Sequence, residues 1–130
     1  MRKILMKPRV LIINPDTRLN HALVAHFVRM DRCQVFSSLK HESSLMMITG
    51  VTPKQRFDVV VTHFGGLAID FNYFVHRIRK AAPATKVLLF CKRRKLDGLL
   101  FDEVVFENGS DSIEILERKV GLLFLSQSKH

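Results

Sequence analysis

Apolar residues in this chain fall in short continuous runs separated by stretches with helical spacing. Arg9 to Ile13 carries Val10, Leu11, Ile12 and Ile13 with no polar alternation, which predicts a short strand covered on both faces. Asp16 or Thr17 can cap a helix to about Met30, with Leu19, Leu23, Phe27 and Met30 recurring at helical spacing. Gln34 to Ser37 reads as a weaker second strand, and Ser43 to Ile48 as a second helix that Gly50 and Pro53 end. Asp58 to Thr62 is a third strand, β-branched throughout its centre. Asp70 can cap a third helix with Phe71, Phe74, Val75 and Ile78 on its core face, ended by Ala81-Ala82-Pro83. Lys86 to Cys91 and Glu103 to Phe106 are the fourth and fifth strands. After a turn at Asn108-Gly109-Ser110-Asp111, Asp111 and Glu114 have the spacing of a capping box. The last helix turns Ile113, Leu116, Val120, Leu123 and Phe124 inward, and Ser126 to His130 should fray. Strands alternating with helices, each strand nearly all apolar, predict an α/β doubly wound parallel sheet.

Length allows one domain across residues 1–130, with a core from 7 to 125; halves of this chain would be too small to bury a core each. At 47% hydrophobic and 25% charged residues it has the composition of an ordinary globular protein. No apolar run approaches the roughly 20 residues needed to cross a bilayer, and the amino terminus has too short an apolar stretch for a signal peptide. Cys33 and Cys91 match neither a disulfide framework nor a metal-knuckle spacing, which points to a reduced, cytoplasmic setting. Charge is distributed unevenly. Arg77 to Lys95 holds eight basic residues and no acid, while Asp97 to Glu117 holds seven acids and no base. Solvated helix faces would account for such runs; so would an anionic partner, or charge-matched association with a second copy.

The strand Phe57-Asp58-Val59-Val60-Val61-Thr62, ending in His63 and followed by Phe64-Gly65-Gly66, resembles the third strand of the receiver domain of two-component response regulators. The resemblance extends over nearly the whole chain. It implies a flavodoxin-like fold with five parallel strands in the order 2-1-3-4-5, the first and last helices sharing one face. In that family the residue at His63 is the aspartate that accepts a phosphoryl group. An acidic pair that holds magnesium ends the first strand, where this chain has Asn14-Pro15, followed by Asp16. A serine or threonine ends the fourth strand, where this chain has Cys91, and a lysine on the fifth strand is replaced by Glu107. Phosphoryl transfer needs a cation on the transferring group and a positive side chain to hold it. An amide, a proline, an imidazole and a carboxylate at these points supply neither. The resemblance therefore implies a degenerate, pseudo-receiver form: a phosphorylation-independent regulatory module acting through a protein partner. It would be a stand-alone protein or the amino-terminal part of a transcriptional regulator, without enzymatic activity or cofactor, and able to form a homodimer. Only Lys92 to Phe106 separates Cys91 from Glu107, fewer residues than receivers usually place there. The family's fourth helix is expected to be a single turn or absent.

Two other chemistries compete for the same residues. Strand ends converge in a sheet of this kind, so His63 and Cys91 with Asp16 or Glu107 could bind zinc, or act as thiol and base with Asn14 orienting the histidine. No local motif supports either, and no metal or catalytic residue is assigned. The basic set Arg77, Arg79, Lys80, Lys92, Arg93, Arg94 and Lys95 is the candidate partner surface. Weak nucleic-acid binding by that cluster is the main alternative, although no nucleic-acid-binding motif accompanies it.

Overall fold

The structure is a computed structural model that describes residues 7–50, 56–63, 71–92, 101–107, 109 and 111–127. Its strands are β1 (Arg9–Ile13), β2 (Gln34–Ser38), β3 (Val59–Thr62), β4 (Lys86–Cys91) and β5 (Glu103–Phe106). They form one sheet in the order β2-β1-β3-β4-β5, every neighbouring pair parallel. Four helices are described: α1 (Thr17–Met30), α2 (His41–Thr49), α3 (Phe71–Ala81) and α4 (Ser112–Gln127). The architecture is the one the alternation of elements predicts.

Period-two geometry explains why the strands lack polar alternation. Val10 and Ile12, Val59 and Val61, and Leu88 and Phe90 face one layer, where Leu23, Phe27, Leu116 and Val120 of α1 and α4 cover them. Leu11, Ile13, Val60 and Val87 face the other, against Ile48 of α2 and Phe74, Val75 and Ile78 of α3. Both faces of the sheet are therefore dry, and a polar residue on either side would be buried unpaired.

The α1 boundaries match expectation for the expected reason. Asp16 Oδ1 accepts from the backbone N–H groups of Arg18 and Leu19 at 3.0 and 3.2 Å. At the other end Asp31 adopts the left-handed conformation (φ 54°), and its N–H donates to the Phe27 and Val28 carbonyls. The second helix differs from expectation, starting at His41 rather than Ser43. No side chain caps Lys40; the first turn is held instead by Ser44 Oγ, which donates to the Lys40 carbonyl at 2.6 Å, and by burial of His41. Gly50 follows α2 with an ordinary negative φ, so space and not conformation requires glycine: a Cβ there would lie 2.8 Å from the Met46 carbonyl oxygen. β2 is one residue longer than expected, β3 begins one residue later, and α4 continues through Ser126 and Gln127, which were expected to fray. Residues 93–100, on which the shortened or missing helix rests, lie outside the described residues, as do Pro53, Asp70, Asn108, Ser110 and residues 128–130.

Candidate functional site

At the carboxyl end of the sheet, Asn14, His63 and Glu107 follow β1, β3 and β5 directly, and Cys91 is the last residue of β4. Asn14 is 1% exposed and fully committed to local structure. Its N–H donates to the Ser38 carbonyl at 3.1 Å, and its side-chain Oδ1 accepts from the Asp16 N–H at 2.9 Å. Asn20, buried in the first turn of α1, donates from Nδ2 to the Asn14 and Ser38 carbonyls at 3.3 and 3.2 Å. Asn14-Pro15-Asp16 thus forms an Asx-type turn that delivers the chain into the α1 cap. The oxygens nearest the crevice are already holding backbone.

His63 and Glu107 come together. β4 separates their strands, so their backbones stand about 10 Å apart. The two side chains span that gap, His63 Nε2 lying 3.2 Å from Glu107 Oε2, with only 17% and 14% of the side chains exposed. Glu107 Oε2 is buried, and its approach to His63 is close without hydrogen-bond geometry. The Glu107 N–H continues the ladder by donating to the Cys91 carbonyl at 2.8 Å. Cys91 itself is buried and reduced. Among the described residues no three His, Cys, Asp or Glu side chains converge as metal ligands. Asp16 holds the α1 cap through Oδ1.

Residues that sequence reasoning passed over also line this end. Thr62, fully buried, meets Nε2 of buried His41 at 2.9 Å, and the His41 ring packs edge-on against Phe74 at 4.9 Å. A histidine near a helix start gives no periodic signal, because its burial depends on α2 and β3 meeting in space. A second polar pair joins α1 to α4, where His26 Nε2 lies 3.4 Å from Glu117 Oε1. Arg29 can only donate to His26 Nδ1, at 3.3 Å, so in this arrangement Nδ1 accepts and Nε2 donates to Glu117. Burial, reinforced by the Glu117 charge, pushes the Cys33 thiol up to about 11.

The expected basic surface is split. Arg77 and Lys80 are exposed on α3 and Lys92 is exposed just beyond β4, while Arg93, Arg94 and Lys95 lie outside the described residues. Arg79 instead meets Asp102 at 3.3 Å, and Asp102 Oδ2 also accepts from the Val87 N–H at 2.7 Å. Four of the seven acids in that run meet side chains of other elements, Asp102 with Arg79, Glu103 with Lys119 at 3.5 Å, Glu107 with His63 and Glu117 with His26, while Asp111 and Glu114 are exposed. Among the described residues no helix is long and apolar enough to cross a membrane.

No protein-family profile matches the sequence, and no curated protein does. Solved structures do match. The receiver domain protein (CheY-like) from Methanospirillum hungatei JF-1 superposes with a TM-score of 0.79, covering 95% of this chain and 98% of that one at 14% identity. Response regulator TrrA from Thermotoga maritima, in complex with Mg(2+)-BeF, gives 0.75 over 91% and 99% at 19% identity. The Francisella response regulator 1452 receiver domain gives 0.74 over 94% and 100% at 18% identity. The fold is that of a response-regulator receiver domain. Identities this low establish architecture, and each crevice residue must be judged on its own chemistry. At the ends of β3 and β5 this fold holds an imidazole and a carboxylate 3.2 Å apart.

Proposed function

We propose that this chain is a pseudo-receiver: a phosphorylation-independent regulatory module, not an enzyme, that acts by binding a protein partner. It would serve as a stand-alone signalling protein or as the amino-terminal domain of a transcription regulator. The observation that carries this reading is the contact between His63 and Glu107, which reverses the charge order of a working receiver crevice. A phosphoryl group arriving at His63 would meet the Glu107 carboxylate where it needs a cation. Asn14 adds to the argument, since its side-chain oxygen is engaged in the β1–α1 turn, and imidazole is a poor ligand for magnesium.

The test uses magnesium and beryllofluoride, the ligand pair of the TrrA complex. Amide resonances of Asn14, Thr62, His63, Cys91 and Glu107 should not move when both are added, and acetyl phosphate should leave the mass unchanged. A magnesium-dependent shift centred on His63, or a phosphoryl adduct on a crevice residue, whether an acyl phosphate or an acid-labile phosphohistidine, would overturn the proposal.

A further inference from the structure

The outward face of α3 is built to receive something. Phe74, Val75 and Ile78 are buried against the sheet, while Asn72, Tyr73, His76, Arg77 and Lys80 are exposed, and the helix contains no acidic residue. A cavity of about 400 Å3 opens beside it, lined by Asn72, Tyr73, Val75, His76 and Arg79. Tyr73 is half exposed, and Arg77 holds it in place: Nη1 donates to the tyrosine hydroxyl at 2.8 Å while the guanidinium carbon lies 5.6 Å from the ring centre. That bond uses one donor of the guanidinium fork, which carries five. The Asp102 carboxylate fixes Arg79 in the same way on the cavity wall.

Charge selects the occupant. The chain carries a formal +9, the described helix has no acidic residue, and Asp102 beside the cavity is already on Arg79. We infer that the α3 face is a docking site for an acidic protein segment that presents one apolar or aromatic side chain to the cavity, carboxylates flanking it on Arg77 and Lys80. This rests on the protein-binding reading above and names the chemistry of its partner. A peptide suits the geometry better than nucleic acid does. The described helix is about 16 Å long, room for few phosphate contacts, whereas duplex binding at physiological salt draws on many. The Tyr73 face that would stack on a base is partly covered by Arg77. A cavity with an apolar floor adds burial energy that a phosphate backbone cannot use.

The probe is a fluorescein-labelled acidic peptide of glutamate and aspartate around a central phenylalanine, titrated by anisotropy against the whole chain. A phenylalanine-to-alanine version of the peptide and a single-stranded oligonucleotide of equal charge run beside it. Binding is expected to weaken at high salt, and about tenfold or more with Arg77→Glu/Lys80→Glu. The alanine peptide and Tyr73→Ala should each weaken it similarly, with amide shifts confined to α3. These are surface changes, and unaltered circular dichroism verifies the fold. No binding of the peptide, binding indifferent to the charge reversal, or tighter binding of the oligonucleotide would each overturn the inference. Phosphoryl independence is read separately by the beryllofluoride experiment, so the two claims fail independently.

Discussion

Replacing His63 with aspartate restores the residue that receivers carry, and it should cost stability without restoring chemistry. The new carboxylate would face Glu107, whose Oε2 now lies 3.2 Å from the imidazole it replaces. Aspartate is shorter, so the charges would sit farther apart, at roughly 4 to 5 Å, where repulsion at a near-surface effective dielectric is about 3–4 kcal/mol. Both side chains retain some exposure and can swing outward, so about 2 kcal/mol is expected to survive. For a chain of this length that is a fall in Tm of roughly 6–12 °C. Lowering the pH protonates one of the two carboxylates, so the deficit should shrink between about pH 7 and pH 4. The decisive measurement is a double-mutant cycle. His63→Asp/Glu107→Lys places an aspartate and a lysine where receivers have them, and it should recover at least half of the lost Tm through a coupling of about 1–3 kcal/mol. Thermal melts of the four proteins supply every term. If His63→Asp melts at or above the parent, or the two changes simply add, the ion-pair account of this crevice is wrong.

Two further outcomes follow from groups displaced by burial. Asp58 has its pKa raised from 3.8 by burial, against the lowering effect of the Arg9 N–H bond at 2.8 Å and the Arg9 charge. The folded state then binds this proton more tightly than the unfolded one, so the group's contribution to stability grows as pH falls through its folded pKa toward 3.8. Asp58→Asn keeps an acceptor for Arg9, so it should match or exceed the parent at neutral pH and lose ground to it near the acidic limit; melts showing a larger loss at neutral pH would reverse the sign. Cys33, with its thiol near 11, should be roughly a thousandth thiolate at pH 8 and hence slow toward disulfide reagents in the native chain, labelling fast only after unfolding. Rapid native labelling at Cys33, located by peptide mass spectrometry, would contradict that.

The sheet was legible because its signal is local. Val10 to Ile13, Val59 to Thr62 and Lys86 to Cys91 are apolar on both faces, a pattern a chain of this size accommodates in a doubly wound parallel sheet. Asp16 announced α1 because a cap is made with residues two and three positions away. The start of α2 was misplaced for the converse reason: His41 is helical and buried through Thr62 and Phe74, distant in sequence. The same limit applied to charge. Counting acids from Asp97 to Glu117 left solvated faces and a charged partner both open, whereas the fold sets four of the seven, Asp102, Glu103, Glu107 and Glu117, beside Arg79, Lys119, His63 and His26 from other elements.

The crevice shows how a receiver fold can hold an imidazole and a carboxylate at these strand ends. Parallel packing brings the ends of β3 and β5 to opposite sides of β4, and a long side chain from each must reach across with little access to water. Stability asks only that the two be complementary, since a lone charge there would bear its desolvation cost unaided. Either polarity satisfies that demand. Phosphoryl transfer is stricter, because it requires the anion on β3 as nucleophile and the cation on β5 as its counter-charge. Under the proposed reading, such a pair leaves folding intact, removes the reaction, and with it removes the event that would move the domain between two states. Control then passes to whatever competes for the outer surface, and on α3 that surface is positive, aromatic and already held in place.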